Sequence, residues 1–144
     1  MHTAHVGINV TNLERSRDFY SAVLNLTTLR ESADSTRRFA FLGHDGHLVL
    51  TLWEQSTSPF DTHAAGLHHL SFEVPSLEDV RAAEARLHAR GATFAYDGIV
   101  PHAEGASSGG IFFTDPDGTR LEMYAKDGVA GTAPHSDAPT CGFF

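Results

Sequence analysis

The chain has 144 residues, a formal net charge of −8 at pH 7 and 41% hydrophobic residues, which is typical of one globular domain with a substantial core. The acidic balance disfavours a general nucleic-acid-binding protein and attraction to an anionic membrane surface, since both require a basic face. A single cysteine, Cys141, excludes an internal disulfide. The lack of a signal sequence, and of an apolar stretch long enough to cross a bilayer, predicts a cytoplasmic protein.

The first half of the chain has the pattern of a strand, a helix and three further strands. Short apolar alternations indicate the strands, and Thr11 and Glu14 have the spacing of a capping box that begins the helix. Asp45-Gly46, between two apolar runs, is typical of a tight hairpin turn. The predicted elements are a strand at 4–10, a helix at 12–24 and strands at 27–31, 37–43 and 47–54.

The second half of the chain repeats the first. His69 follows His5 by 64 positions within similar segments, and a second Asp-Gly turn follows the first by 72 positions. Ser76 is placed to cap a second helix, and Gly91 is placed to end it. The predicted elements are a strand at 67–74, a helix at 76–90 and strands at 92–99, 110–114 and 119–125.

The repeat predicts an α+β fold of two tandem βαβββ units. The first unit is assigned to residues 1–54 and the second to 67–126, with a polar linker at 55–66 between them. Residues 127–144 are rich in Gly, Ala, Pro and Ser and are interpreted as a flexible tail. The last few residues are apolar and need not share this flexibility. Duplicated units that pair about a pseudo-twofold axis would place equivalent strands side by side.

The ten histidines equal the lysines and arginines together, and two of them occupy equivalent positions of the repeat. The pseudo-twofold axis would place His5 opposite His69, while strand alternation predicts that His68 points to the other face. Glu122, on the last strand, adds a carboxylate that is costly to bury unless it is paired or bound to a metal. Two imidazoles and one carboxylate form the facial triad that Fe(II) favours and that Mn(II), Ni(II) and Zn(II) also use.

One position of the repeat lacks a ligand. At the 72-residue offset Glu122 corresponds to Leu50, an apolar residue. The sequence therefore predicts three protein ligands, with open coordination positions for a substrate. Other side chains expected on or near these strand faces are predicted to contact the substrate: Asn9, Leu50, Ser71, Arg120 and Tyr124.

The chain resembles the vicinal oxygen chelate superfamily, which includes glyoxalase I, fosfomycin-resistance thiol transferases, bleomycin-binding proteins and type I extradiol dioxygenases. The resemblance covers residues 4–126 and is carried by His5-Val-Gly-Ile-Asn-Val, Arg17-Asp-Phe-Tyr, Gly66-Leu-His-His-Leu and Phe113-Thr-Asp-Pro-Asp-Gly-Thr-Arg-Leu-Glu. It implies a curved sheet around a cleft, in which one divalent metal ion bound by His5, His69 and Glu122 chelates two neighbouring oxygens of a small substrate. It also implies a homodimer, with the metal site either within one chain or between two.

The resemblance favours dioxygenase-type chemistry with Fe(II), and leaves a glyoxalase-like lyase or a fosfomycin-type thiol transferase as alternatives. Glyoxalase I members generally have Glu or Gln where this chain is aligned with Leu50. Extradiol dioxygenases have an upstream histidine that His102 matches, which makes His102 a candidate proton carrier. Those enzymes and the fosfomycin transferases have tyrosine at the position of Phe112, and Arg120 matches a substrate-contacting arginine of the transferases. A metal-free, antibiotic-binding protein is the alternative from another class.

Overall fold

The computed structural model describes residues 3–134 and residue 144; Cys141 and the part of the predicted tail at 135–143 lie outside this description. The chain divides into two compact units, Met1–Phe60 and Asp61–Phe144. Each contains a four-stranded sheet and one α-helix, which confirms the predicted α+β fold. In the described part of the chain, no helix combines the length and the apolar character needed to cross a membrane.

The first unit is a mixed sheet with one helix. Its elements are β1 (Val6–Val10), α1 (Leu13–Leu24), β2 (Thr27–Asp34), β3 (Arg37–His44) and β4 (His47–Glu54). The strand order is β1-β4-β3-β2, with β1 and β4 parallel and the other neighbours antiparallel. Asp45 and Gly46 have φ values of 49° and 78°, as the predicted hairpin turn requires.

The second unit repeats this topology with shorter strands. Its elements are β5 (Leu70–Glu73), α2 (Leu77–Ala89), β6 (Val100–Pro101), β7 (Gly109–Thr114) and β8 (Arg120–Ala125). The strand order is β5-β8-β7-β6, with β5 and β8 parallel. The chain leaves α2 at Gly91, whose φ is 65°, as predicted for a residue that follows a helix.

Each helix begins at a side-chain cap. Ser76 caps α2 as predicted, because its Oγ accepts a hydrogen bond from the N–H of Asp79 at 3.3 Å. Asn12 caps α1, and its Oδ1 accepts a hydrogen bond from the N–H of Arg15 at 2.9 Å. The prediction of a capping box at Thr11 is therefore wrong by one residue, since asparagine is at least as good a cap as threonine.

The strand predicted at 92–99 is also wrong. Within this segment the structure has an isolated bridge between Phe94 and Phe113, and the edge strand of the sheet is the two-residue β6 that follows. Gly98 has a φ of 79°, a left-handed conformation that turns the chain away from an extended ladder. Apolar alternation alone did not reveal this bend.

Among residues 3–134 and 144, each helix packs against one face of its own sheet, and the opposite face, on which these residues place no helix, is called the helix-free face. Because side chains alternate along a strand, Glu122 and Tyr124 lie on the face opposite α2, while Gly7 and Asn9 lie on the face opposite α1. The strand residues on the helix side are buried: Ile8, Val10, Leu50, Leu52, Leu121 and Met123. The helix-free faces therefore carry most of the predicted site residues.

Candidate functional site

Glu122 is the centre of a cluster in the second unit. Its side chain is 2% exposed, although it lies on the helix-free face of β8. Its Oε1 lies 2.7 Å from Nε2 of His102, and its Oε2 lies 3.8 Å from Nε2 of His69. The structure therefore brings three of the predicted site residues together, with the carboxylate between two imidazoles.

His102 is held from both sides of its ring. Its Nδ1 lies 3.2 Å from the Ser108 hydroxyl, while its backbone N–H donates to the Ser108 carbonyl at 3.0 Å. An ionised Glu122 only accepts hydrogen bonds, so Nε2 of a neutral His102 carries the proton and Nδ1 accepts from Ser108. The ring also lies 5.1 Å from the Tyr124 ring. Glu122 thus fixes the tautomer of His102, and the Ser108 hydroxyl, which can donate, suits the remaining nitrogen.

His69 lies immediately before β5, and its side chain is 14% exposed. Burial lowers its pKa; the nearby charge of Glu122 opposes this shift, while His68 and Arg120 reinforce it. A lower pKa favours the neutral imidazole at pH 7, which is the form that binds metal ions.

His68 does not point away from His69, contrary to the prediction. The Nδ1 atoms of the two rings lie 2.9 Å apart, and Nε2 of His68 lies 3.5 Å from Nη1 of Arg120. Both histidines precede β5, which begins at Leu70, so the alternation of side chains within a strand does not apply to them.

The remaining predicted contacts of the second unit surround this cluster. Ser71 is exposed and is the β5 partner of Glu122 in the sheet register. The Tyr124 hydroxyl donates to Oε2 of Glu73 at 2.9 Å, and Nζ of Lys126 lies 2.8 Å from Oε1 of the same carboxylate. The hydrogen bond to Glu73 raises the pKa of Tyr124, so the phenol stays protonated at neutral pH.

In the first unit, His5 and Asn9 are exposed, before β1 and on β1 respectively. Leu50, in contrast, is fully buried on the side of the sheet that packs against α1. Its side chain therefore does not reach the helix-free face, and the prediction that it contacts the substrate is wrong.

The sheet register identifies the true counterpart of Glu122. Ser71 pairs with Glu122 in the second unit, and its equivalent Gly7 pairs with Thr51 in the first. A Cβ on Gly7 would lie 3.2 Å from Oγ1 of Thr51, which places both on the same face. The Asp-Gly turns of the two units are 72 residues apart, whereas Thr51 and Glu122 on the equivalent strands are 71 residues apart. This difference of one residue assigns a side chain to the opposite face of the sheet.

The cluster fits a divalent metal ion but does not complete its coordination. Two donors bound to one ion at about 2.1 Å lie about 3–4 Å apart, and the 3.8 Å between His69 Nε2 and Glu122 Oε2 falls in this range while being too long for a hydrogen bond. Among residues 3–134 and 144, no three His, Cys, Asp or Glu side chains are grouped closely enough to hold a metal. The second unit thus places His69 and Glu122 at a distance that one ion could span, and the assignment of His5, His69 and Glu122 as metal ligands stays a prediction.

Phe144 belongs to the same surroundings but was not predicted there. Its ring lies 5.7 Å from that of His69 and 5.4 Å from that of Phe112. The only sequence signal is an aromatic residue after a stretch rich in small and polar residues, which does not indicate where the ring packs.

Comparison with known families matches residues 2–123 to the Glyoxalase/Bleomycin resistance protein/Dioxygenase superfamily. The chain is 31% identical over 127 residues to a catechol-2,3-dioxygenase of Bacillus subtilis (strain 168), an alignment that covers 86% of this chain and 41% of that protein. This chain thus spans about two fifths of that relative. It is 32% identical over 142 residues to a trivalent organoarsenical cleaving enzyme of Bacillus sp. (strain MD1), with 98% of this chain and 83% of the relative covered.

The fold also matches solved structures. The fosfomycin resistance protein FosX from Listeria monocytogenes, solved with Mn(II) and a sulfate ion, superposes with a TM-score of 0.63 at 21% sequence identity. The match covers 86% of this chain and 91% of that one. At this identity the likeness shows a common fold; the Mn(II) ion belongs to the FosX structure.

Proposed function

Because this chain belongs to the Glyoxalase/Bleomycin resistance protein/Dioxygenase superfamily, we propose that it is a divalent-metal-dependent enzyme. It acts on a small substrate with two adjacent oxygens, by dioxygenase-type chemistry. The observation that carries the proposal is the buried Glu122 carboxylate between His69 and His102. Burying a carboxylate at 2% exposure is costly without hydrogen bonds or a cation. His102 satisfies Oε1 at 2.7 Å, whereas Oε2 faces His69 at 3.8 Å, where a cation would compensate its charge.

We assign the metal to His5, His69 and Glu122, with Fe(II) as the favoured ion and Mn(II), Ni(II) or Zn(II) as alternatives. When bound, the ion supplies the Lewis acidity that polarises the oxygens of the substrate. His69 contributes a neutral imidazole, which its lowered pKa favours, and Glu122 contributes the negative charge. Asn9, Ser71, Arg120 and Tyr124 are the proposed substrate contacts.

His102 is the proposed proton carrier. Its Nε2 lies beside the Glu122 carboxylate and its Nδ1 beside the Ser108 hydroxyl, so both nitrogens have a hydrogen-bond partner. An imidazole can take a proton from a substrate hydroxyl and return it, here through Nδ1, the nitrogen whose lone pair faces the Ser108 hydroxyl. The Ser108 hydroxyl keeps the ring in one orientation while it does so.

Dioxygenase-type chemistry is favoured over the alternatives by two observations. The position equivalent to Glu122 in the first unit is Thr51, which cannot serve as the second Glu or Gln ligand typical of glyoxalase I. A relative 31% identical over most of this chain is named a catechol-2,3-dioxygenase. A glyoxalase-like lyase, a fosfomycin-type thiol transferase and a metal-free antibiotic-binding protein are the alternatives that the experiment must separate.

The direct test is anaerobic reconstitution of the chelator-treated protein with Fe(II), Mn(II), Ni(II) or Zn(II), followed by metal analysis and a substrate panel. We expect about one ion per chain and oxygen uptake by the Fe(II) form with catechol. Thiol consumption with fosfomycin, loss of the methylglyoxal hemithioacetal, or cleavage of a trivalent phenylarsenical would each replace the dioxygenase assignment. Failure to retain any of the four ions would overturn metal dependence itself.

Replacing His102 by alanine separates proton transfer from metal binding. We expect turnover to fall by about 10²- to 10⁴-fold, the usual contribution of a general acid or base. Because His102 also supports Glu122, the metal Kd should rise by about 10- to 100-fold, and the metal content should stay near one ion per chain when the ion is supplied well above this Kd. The matched control is His63→Gln, which changes an exposed histidine of the same unit and should alter neither quantity. Full activity of His102→Ala would remove this residue from the mechanism.

A further inference from the structure

Phe144 contacts three side chains that surround the candidate site. Its ring centroid lies 5.7 Å from that of His69, at an interplanar angle of 38°, and 5.4 Å from that of Phe112, at 73°. The guanidinium carbon of Arg120 lies 5.5 Å from the same centroid. One phenyl ring is thus in contact with a proposed metal ligand, with β7 and with the first residue of β8.

These contacts require an aromatic ring, and an apolar side chain of similar volume would not make them. The Arg120 guanidinium is attracted to the negative face of a π system, and the T-shaped contact with Phe112 pairs a ring edge with a ring face. An aliphatic group of the same size would bury similar area but would make neither contact. Among the described residues Arg120 has no carboxylate within ion-pair distance, so its guanidinium is available to a ring.

We propose that His69, Phe112 and Arg120 form a subsite for the aromatic ring of a ligand, and that Phe144 occupies this subsite when no ligand is bound. The proposal rests on the proposed function, because His69 places the ring beside the group assigned to the metal. An aromatic substrate or inhibitor then competes with the protein's own side chain. Phe144 both lowers the apparent affinity for such ligands and protects the site while it is empty.

The competition predicts that removing the Phe144 ring strengthens ligand binding. Titration of metal-free, chelator-treated protein with catechol, followed by calorimetry or ligand-detected NMR, measures this without catalysis. We expect Phe144→Ala to lower the Kd for catechol by about three- to tenfold, the size of one lost ring contact. Phe144→Tyr, which keeps the ring, should bind like the parent. Arg120→Gln in the Phe144→Ala background should weaken binding again.

A saturated ligand provides the matched control. Trans-cyclohexane-1,2-diol has the same two adjacent oxygens as catechol but no π system, and it should bind at least tenfold more weakly to Phe144→Ala. Equal affinities for the two diols, or an unchanged or higher Kd for catechol in Phe144→Ala, would overturn the subsite and leave Phe144 as a packing residue. These binding results are independent of metal content and turnover, so this inference and the proposed function fail separately.

Discussion

Replacing Glu122 with glutamine is expected to abolish stoichiometric metal binding. Residues that only hydrogen-bond to a metal ligand already contribute about 10- to 100-fold to metal affinity, so loss of the ligand itself should lower the affinity by at least about 100-fold. The amide keeps the shape of the side chain but removes the negative charge that the carboxylate brings to a divalent ion. Metal analysis after reconstitution and dialysis gives the occupancy, and titration with a competing chelator gives the affinity.

The same variant shows whether a loss of metal reflects unfolding. Glutamine keeps an acceptor for His102 and removes a charge that is 2% exposed, so the free energy of unfolding of the metal-free protein should change by less than about 1 kcal/mol. Urea unfolding measures this quantity. Glu73→Gln, which removes an exposed carboxylate of the same unit, is the matched control and should retain the metal. Retention of the metal by Glu122→Gln would contradict its assignment as a ligand.

Replacing His5 with alanine should remove the metal as completely as the change at Glu122, although the two residues belong to different units. His5 is exposed and precedes β1, so the free energy of unfolding should stay within about 0.5 kcal/mol of the parent value. His47→Ala, at another exposed position of the first unit, should keep its metal. A full complement of metal in His5→Ala would show that the third donor is another residue.

Mixing the two inactive variants tests whether the proposed site lies within one chain or between two. If it lies between the subunits of a homodimer, co-refolding His5→Ala with Glu122→Gln gives mixed dimers in which one of the two sites is intact. Random assortment then restores about one quarter of the sites, as the twofold symmetry of such an interface requires. A site within one chain gives no recovery at any mixing ratio. Metal content and turnover of the mixture should agree.

The fold could be predicted from the sequence because the repeat is supported by several independent local signals. Each signal depends on only a few neighbouring residues and can therefore be read directly from the sequence. These signals are the alternating apolar residues, the cap at Ser76, Gly91 after a helix and the Asp45-Gly46 turn. The prediction of a strand at 92–99 was wrong because Gly98 has a left-handed φ of 79°, which turns the chain out of an extended conformation. Periodicity does not reveal such a bend.

The site was less predictable because it depends on register and on long-range contacts. The similarity of the two turns aligned Glu122 with Leu50, whereas hydrogen-bonded pairing aligns it with Thr51. A slip of one residue is small in sequence but exchanges the buried and the helix-free face. Ser108 orients His102 from only six positions away, but no sequence pattern pairs a serine with a histidine in this way. The packing of Phe144 against Phe112 likewise joins residues that no sequence pattern connects.

Thr51 also sets the charge balance of the proposed centre. One carboxylate and two neutral imidazoles leave a divalent ion with a single uncompensated positive charge, whereas a second carboxylate at this position would cancel it. A centre with one residual positive charge attracts a singly deprotonated ligand, since binding then neutralises the ion. Thr51 is uncharged, buried at 5% exposure and hydrogen-bonded by the Trp53 indole N–H, so the proposed centre is expected to prefer an anionic substrate.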